Sequence, residues 1–248
     1  SPVLDFSNMP ASLLGQSSGR GLQFDAGANW WIVRGLTIQN AKDNGLYNGG
    51  SKNLFDRIST RWNADSGFQL HDNASGNLIL NSDSYENYDP QNRGENADGF
   101  AVKSPTIGPG NIFRGDRAWG NSDDGWDMFD ATANGVLIVD SWAYENGHDP
   151  LNDHATFNGD GNGFKLGRDS GSHILDGVLA WSNPHHGIDV NANGTDYVNG
   201  VAVGPNGSYV QVYDSISYDN GGSGGANWYF DEDVSHILRN NISFAGQH

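Results

Sequence analysis

The sequence contains no cysteine, few basic residues and no long apolar segment. Without cysteine, neither a disulfide framework nor a thiolate metal site is possible. Lys and Arg number 13 against 30 Asp and Glu, which gives a formal net charge of −17 and argues against a nucleic-acid partner, because that binding depends on cations that neutralise phosphates. No apolar run approaches the ~20 residues of a membrane span. We therefore expect no membrane partner.

Glycine is the abundant residue, with 35 in 248 positions, about twice its usual share of roughly 7%. Charged residues make up only 17% of the chain, below the usual ~25%. This glycine-rich composition, with many asparagines and aromatic residues, indicates strands joined by turns. A chain of this length is expected to form one domain, over residues 1–248.

A two-part unit recurs from Trp31 onward. Its first part is a short strand-like run, and such runs begin at Trp31, Asn53, Asn77, Asn111, Gly135, His173, Val210 and His236. Its second part is a polar residue, a glycine and an apolar residue, as in Asn44-Gly45-Leu46-Tyr47, Ser66-Gly67-Phe68-Gln69, Asp98-Gly99-Phe100-Ala101, Asp124-Gly125-Trp126-Asp127, Asn162-Gly163-Phe164-Lys165 and His186-Gly187-Ile188-Asp189. The shortest repeats are 22 to 24 residues long, which is typical of a solenoid.

The strand-like character of the runs, without helical periodicity, predicts an all-β fold, a right-handed parallel β-helix of about eight coils. A β-sandwich does not predict one glycine motif per repeat, and a propeller needs about 40 residues per blade. The extra residues of the long repeats, 85–95 and 145–160, are expected to be loops that project from one edge and border a binding groove.

Coils of such a solenoid lie about 4.8 Å apart, so residues at equivalent positions form columns. Alignment on the glycines places Asp98 beside Asp124, and Asp127 beside Lys165. The aromatic residues Phe100, Trp126 and Phe164 are expected to point into the core, and the glycines to face outward as an open floor for a ligand. His185 and His186 are expected to be turn residues.

The segment Asn121-Ser122-Asp123-Asp124-Gly125-Trp126-Asp127 is the strongest candidate for a functional site. Carboxylates this crowded repel one another unless a cation offsets them, and Ca²⁺ accepts oxygen ligands in flexible geometry. The alternative, a solvated acidic turn, would suit a lone Asp-Asp-Gly. Because Asp98 joins the cluster from the next coil, we expect Asp98, Asp123, Asp124 and Asp127 to bind Ca²⁺, with a single lysine, Lys165, one coil away. A bound cation would also let this acidic protein accept an anionic substrate.

Five segments together resemble the family-9 polysaccharide lyases, which are calcium-dependent pectate lyases built on a parallel β-helix. They are Asn96-Ala97-Asp98-Gly99-Phe100, Gly110-Asn111-Ile112-Phe113-Arg114-Gly115, Arg117-Ala118-Trp119, Asn121-Ser122-Asp123-Asp124-Gly125-Trp126-Asp127 and Gly161-Asn162-Gly163-Phe164-Lys165-Leu166-Gly167. The resemblance implies that Asp98, Asp123, Asp124 and Asp127 bind the catalytic Ca²⁺ and that Lys165 is the base of a β-elimination.

The resemblance also implies an acidic polysaccharide substrate, most readily polygalacturonate, and a secreted, monomeric protein whose signal peptide is not in this sequence. Members of the family usually carry further strands before the part that resembles Ser1–Phe6, so N-terminal coils of relatives are expected to be missing here. Arg168 and Lys103 lie beside the same columns and are candidates for binding further substrate carboxylates, although each could instead be a surface charge.

Three other functions stay open at this point. Some relatives act on rhamnogalacturonan. An inverting pectin hydrolase of glycoside hydrolase family 28 also clusters aspartates across coils, but its Gly-His-Gly and Arg-Ile-Lys motifs are absent. A non-catalytic carbohydrate-binding β-solenoid with structural calcium would not need a lysine over a cation site.

Overall fold

The computed structural model describes residues 1–131, 133–153, 155–167, 172–191, 196–198, 201–204, 209–230 and 235–245. Short strands dominate it, and its helical segments are two 3₁₀ turns, Ala11–Leu13 and Ser17–Gly19. Among the described residues, no helix is long and apolar enough to cross a membrane. This architecture is the one that the glycine-rich, strand-like repeats predict.

The strands, in chain order, are Val3–Asp5 (β1), Leu22–Phe24 (β2), Ile32–Gln39 (β3), Leu46–Asn48 (β4), Leu54–Arg61 (β5), Phe68–Leu70 (β6), Leu78–Leu80 (β7), Asp83–Tyr85 (β8), Phe100–Val102 (β9), Ile112–Arg114 (β10), Arg117–Trp119 (β11), Trp126–Asp127 (β12), Leu137–Val139 (β13), Trp142–Tyr144 (β14), Phe164–Lys165 (β15), Ile174–Asp176 (β16), Leu179–Trp181 (β17), Ile188–Val190 (β18), Asp196–Val198 (β19), Val201–Gly204 (β20), Gln211–Tyr213 (β21), Ile216–Tyr218 (β22), Trp228–Phe230 (β23), Ile237–Arg239 (β24) and Ile242–Phe244 (β25).

These strands stack as three parallel ladders, one strand per coil in each. The first ladder runs from the front halves of β3 and β5 through β7, β10, β13, β16, β21 and β24, and the second from β1 and the rear halves of β3 and β5 through β8, β11, β14, β17, β22 and β25. The third ladder is β2-β4-β6-β9-β12-β15-β18-β23. Eight strands in this ladder confirm the prediction of about eight coils. The short pair β19 and β20 is an antiparallel hairpin outside the stack.

The third ladder has the register that alignment on the glycines predicts. Asp127 pairs with Lys165 on one side and with Ala101 on the other. The aromatic rings beside them face the core: Trp126 is fully buried and stacks on both Phe100 and Phe164, with ring centroids 4.7 Å apart in each case. Because side chains alternate along a strand, the polar residues of this ladder point to the outer face.

The direction expected for the motif glycines is wrong. A Cβ atom on Gly125 would lie 2.5 Å from the carbonyl oxygen of Gly163, and 2.9 Å from both Cβ of Ala143 and Nδ2 of Asn146. These atoms belong to the next coil and to the corner between the second and third ladders, not to the groove. Glycine is required here because the backbone turns a corner, where simple alternation fails, and successive coils approach too closely for a side chain.

An asparagine ladder lines that corner. Its members are buried and are Asn63, Asn87, Asn121, Asn146, Asn183 and Asn220. Each Nδ2 donates to Oδ1 of the next member over 2.8 to 3.1 Å. Since buried amides need partners, the ladder fixes the turns that lead into the third ladder and so positions the residues there.

The predicted loops are confirmed. The chain from 86 to 99 and the described part of 145–163 carry no strand, and both leave the same corner. They contact each other, because the Asn158 amide donates to the Arg93 carbonyl over 2.9 Å. The second loop also reaches the turn before β12, where the Asp160 amide donates to Asp123 Oδ1 over 2.7 Å.

Candidate active site

Three of the four predicted metal ligands meet at the start of the third ladder. Asp98 lies in the turn before β9, and Asp123 and Asp124 lie in the turn before β12. All three are buried, and one oxygen from each lies within 4.8 Å of the others. The predicted convergence of carboxylates from two coils is therefore found.

Asp127, the fourth predicted ligand, lies beside this group but is not one of the three. It is also buried, in β12. Its Oδ1 accepts a hydrogen bond from the Phe129 amide over 3.0 Å, and its Oδ2 lies 3.2 Å from Lys103 Nζ. Asp127 thus lines the same floor with its two oxygens already held by protein groups.

Lys165 sits against the carboxylates as predicted. Its Nζ lies 3.0 Å from Asp124 Oδ2 and 2.8 Å from Asp160 Oδ2. Burial by itself lowers the pKa of Lys165, but the carboxylates, Asp124 foremost, outweigh it and raise that pKa well above its ordinary value. Asp160, on the long loop, was not among the sequence candidates, although it belongs to a segment expected at the groove.

The expectation of a single lysine at the cluster is wrong, because Lys103 reaches it as well. Lys103 Nζ lies 2.8 Å from Asp98 Oδ2 in addition to its contact with Asp127. Only a fifth of its side chain is exposed, so the alternative of a solvated surface charge is also wrong for Lys103. Whether it binds substrate stays a prediction, and Arg168, the other candidate for that role, lies outside the described residues.

Three of the four aspartates have a raised pKa, because burial outweighs the attraction of the two nearby lysines. Burial raises the pKa of Asp98 to about 6 and that of Asp124 to about 7, although the lysines oppose it. Burial and the neighbouring carboxylates raise the pKa of Asp123 well above its ordinary value. Burial would also raise the pKa of Asp127, but the two lysines outweigh it and lower that pKa.

The cluster fits a hard divalent cation. It offers carboxylate oxygens alone, from two coils, and Ca²⁺ takes such oxygens in flexible geometry. Asp124 Oδ2 is buried and accepts no hydrogen bond, although Lys165 lies within ion-pair distance. Its other oxygen is fixed by the amide and side chain of Asn162, over 2.7 and 2.9 Å. Asp98, Asp123 and Asp124 could therefore hold Ca²⁺, with Asp127 completing the floor.

The groove above the cluster has a volume of about 490 Å³. Besides Lys103, Asp123, Asp127, Asp160 and Lys165, its lining includes His71, Glu95, Asn96, Pro105, Phe129 and Asp130. A groove of this size on the outer face of a ladder is open to part of a polymer, and its charged groups are of both signs. Fold and site together define a parallel β-helix with a carboxylate and lysine centre on one outer face.

The chain belongs to the Pel9A-like right-handed β-helix family, whose model matches residues 1–241, which confirms the predicted handedness and the family resemblance. It is 42% identical to Pectate lyase L of Paenibacillus polymyxa (strain SC2), over 99% of this chain and 52% of that protein. It is 37% identical to Pectate lyase L of Dickeya dadantii (strain 3937), over 98% of this chain and 53% of that protein. The crystal structure of pectate lyase Pel9A matches with a TM-score of 0.82 at 36% identity, over 98% of this chain and 56% of that one. The chain thus spans about half the length of these relatives.

Proposed function

We propose that this chain carries the active site of a calcium-dependent pectate lyase, in which Lys165 is the base. The observation that carries the proposal is the position of Lys165 Nζ, 3.0 Å from Asp124 and beside the group of three buried carboxylates. The names of the relatives, Pectate lyase L in both organisms, support the substrate class. A polymer-degrading enzyme of this class would act outside the cell, where its substrate lies.

Asp98, Asp123, Asp124 and Asp127 would hold the calcium ion. When bound, calcium would offset their charge and withdraw electron density from a uronate carboxylate of the substrate, which makes the proton on the adjacent carbon more acidic. Lys103, at the edge of the groove, would hold a further carboxylate of the polymer. Arg168 stays a predicted residue of the same role.

Lys165 would remove the acidified proton. For this its Nζ must first be neutral, and the carboxylates that raise its pKa oppose that, so we expect an alkaline optimum. The C–H electron pair forms a carbon–carbon double bond while the bond from the neighbouring carbon to the glycosidic oxygen breaks. The leaving oxygen takes a proton from water, and the proton on Lys165 returns to solvent.

Elimination and hydrolysis give different products, and this difference tests the proposal. Elimination leaves a double bond conjugated to the uronate carboxylate, so ultraviolet absorbance should grow in step with reducing ends. We would assay polygalacturonate, methylated pectin, rhamnogalacturonan and alginate, first after chelation with metal removal verified by elemental analysis, then after adding calcium. The expected result is absorbance on polygalacturonate that chelation abolishes and calcium restores.

Other results would redirect the proposal. Reducing ends without absorbance would indicate a hydrolase, which needs a protonated acid and a second carboxylate. Absorbance on rhamnogalacturonan alone would change the substrate. Binding of these polymers without any product would indicate a carbohydrate-binding protein, and full activity after verified metal removal would exclude calcium dependence.

A further inference from the structure

Asp189 continues the outer row of the third ladder beyond Lys165. In β18 it pairs with Lys165 on one side and with Tyr229 of β23 on the other. Its chain neighbours Ile188 and Val190 are in the core, so its side chain faces the same side as Lys165. Lys165 lines the groove, and with coils about 4.8 Å apart, Asp189 and Tyr229 continue its outer row for about 10 Å beyond it.

One oxygen of the Asp189 side chain is unsatisfied at that place. The residue is 3% exposed, and its Oδ1 accepts or donates no hydrogen bond among the described residues. Leaving a buried polar atom without a partner is destabilising, and native proteins retain few of them. A polar atom of a bound ligand is a partner that would remove this cost.

Burial favours the protonated form of the Asp189 carboxyl group. Burial, helped by Asp124, Asp160 and Asp127 and opposed by Lys165, raises its pKa to about 8. A protonated carboxyl group does not repel a polyanionic chain, and its hydroxyl can donate to an oxygen of a sugar. It is also a poor cation ligand, and Asp189 is not in the group of three carboxylates that could hold a metal.

Tyr229 supplies an aromatic surface one coil further along. Its ring is 38% exposed and stacks on the His186 ring, with centroids 4.4 Å apart and planes at 14°. His186 is held as a neutral ring, because its Nδ1 accepts a hydrogen bond from the Ala226 amide, and burial together with His185 lowers its pKa to about 4. A fixed aromatic ring with one polar end suits the mixed polar and apolar surface of a sugar.

We infer that Asp189 and Tyr229 form a saccharide subsite next to the catalytic lysine. Asp189 donates a hydrogen bond to the sugar unit adjacent to the one from which Lys165 removes a proton, and Tyr229 packs against the following unit. The inference rests on the proposed function and adds to it the direction in which the polymer extends over the coils after Lys165.

The test compares oligogalacturonates of two to six units with wild type, Asp189→Ala, Asp189→Asn and Tyr229→Ala, in saturating calcium. Asp189→Ala should raise KM about 5- to 10-fold for the longer oligomers, as expected for one hydrogen bond, with little effect on kcat or on the shortest cleaved oligomer. Asp189→Asn stays neutral and keeps a donor, so it should restore KM. Tyr229→Ala should raise KM only for oligomers that are at least one unit longer than the shortest ones affected by Asp189→Ala. The matched control is Asp140→Ala, which removes an exposed carboxylate from the turn that follows β13.

The dependence of KM on oligomer length, with kcat unchanged, is a readout that a merely structural role would not move. Thermal unfolding of each variant checks that the fold is retained.

Three results would overturn the inference: an unchanged KM at every length in Asp189→Ala, the same rise at every length, or an equal loss in Asp189→Asn that extra calcium cures, which would make Asp189 a cation ligand. A wild type that forms no unsaturated product from any oligomer is a failure of the proposed function. In that case calorimetric binding of the same oligomers to wild type and Asp189→Ala decides the inference separately.

Discussion

The asparagine ladder and the carboxylate cluster lie in the same turns of the chain, and both stack polar side chains from successive coils. Asn121 of the ladder has Nδ2 donating to Asn146 Oδ1 over 3.0 Å, and Oδ1 accepting from Asn87. Three residues later, Asp124 has a buried Oδ2 that accepts no hydrogen bond, and burial together with the neighbouring carboxylates raises the pKa of Asp123. An amide carries both a donor and an acceptor, so a stack of amides satisfies itself, whereas a stack of carboxylates needs a cation.

This difference separates residues that hold the solenoid from residues to which we assign metal binding and catalysis. Ladder positions are saturated within the protein, and changing one should cost stability alone. Asp124 in the cluster keeps an oxygen without a hydrogen bond, so changing this residue should alter metal binding or turnover more than stability. The predictions below test that separation.

The largest effect, a loss of turnover, is expected from replacing Lys165, whose ammonium group lies beside the cluster. Lys165→Ala should lower turnover about 10²- to 10⁴-fold, the range for losing a general base, and should keep calcium binding because the carboxylates stay. The measurement is the rate of ultraviolet absorbance on polygalacturonate, with calcium affinity from calorimetry. Lys52→Ala, which removes a cation that lies over the Trp30 ring, is the matched control. A variant that keeps near-normal turnover would reassign the base.

An exchange within the ladder should cost stability. In Asn183→Asp the new carboxylate faces Asn220 Oδ1 and the Ala143 carbonyl, to which Nδ2 now donates over 2.9 and 3.1 Å. Unpaired buried acceptors should lower the free energy of unfolding by about 2–4 kcal/mol. Denaturant unfolding measures this, and calcium affinity of the folded protein should be unchanged. A loss of calcium affinity without a loss of stability would contradict the separation.

The converse exchange in the cluster should cost metal affinity. Asp124→Asn can keep Oδ1 as acceptor for Asn162, but it removes a charge and an oxygen ligand. We expect calcium affinity to fall at least 10- to 100-fold, the loss typical of changing even an indirect partner of a metal. Alanine is less suitable than asparagine here, because Asp124 is buried and its loss would leave the Asn162 donors unpaired. Asp140→Asn, exposed at the surface, is the control and should bind calcium as wild type does.

The smallest effect is the pH dependence of the chelated protein. The pKa values of about 6 for Asp98 and about 7 for Asp124 lie above the ordinary 3.8, so the folded state binds these protons more tightly than the unfolded state. Their contribution to stability is therefore full below about pH 4 and is lost as pH rises through 6 to 7. Asp127, whose pKa is lowered, opposes this only as pH falls below its ordinary value.

We therefore expect the Tm measured with chelator to fall by several degrees between pH 5 and 7.5, since about 1 kcal/mol corresponds to roughly 2–4 °C for a chain of this size. Calcium should reduce this fall because it favours the ionised carboxylates. If the Tm of the chelated protein rises over the same interval, the folded state does not raise the pKa values of these carboxyl groups, and the prediction is wrong.

Sequence alone determined the fold class, the register of the third ladder and the positions of Lys165 and the four aspartates. It could do so because a parallel β-helix repeats one spacing: backbone hydrogen bonds set the distance between coils, so motifs aligned in sequence become neighbours in space. The repeated asparagines were also visible in the sequence and could have indicated a ladder. The family match then confirmed the right-handed solenoid that the repeats predicted.

Only the tertiary structure decided which further groups reach the cluster and which atoms lie next to each motif glycine. Lys103 follows Asp98 by five residues and Asp160 precedes Lys165 by five, but no repeat rule says where a side chain turns or how a loop folds back. Gly125 faces the asparagine ladder and not the groove because strand alternation ends at the corner. The burial of Asp189, and with it an unsatisfied oxygen beside Lys165, likewise depends on how the coils pack, since desolvation is a property of the packed protein and not of any segment of it.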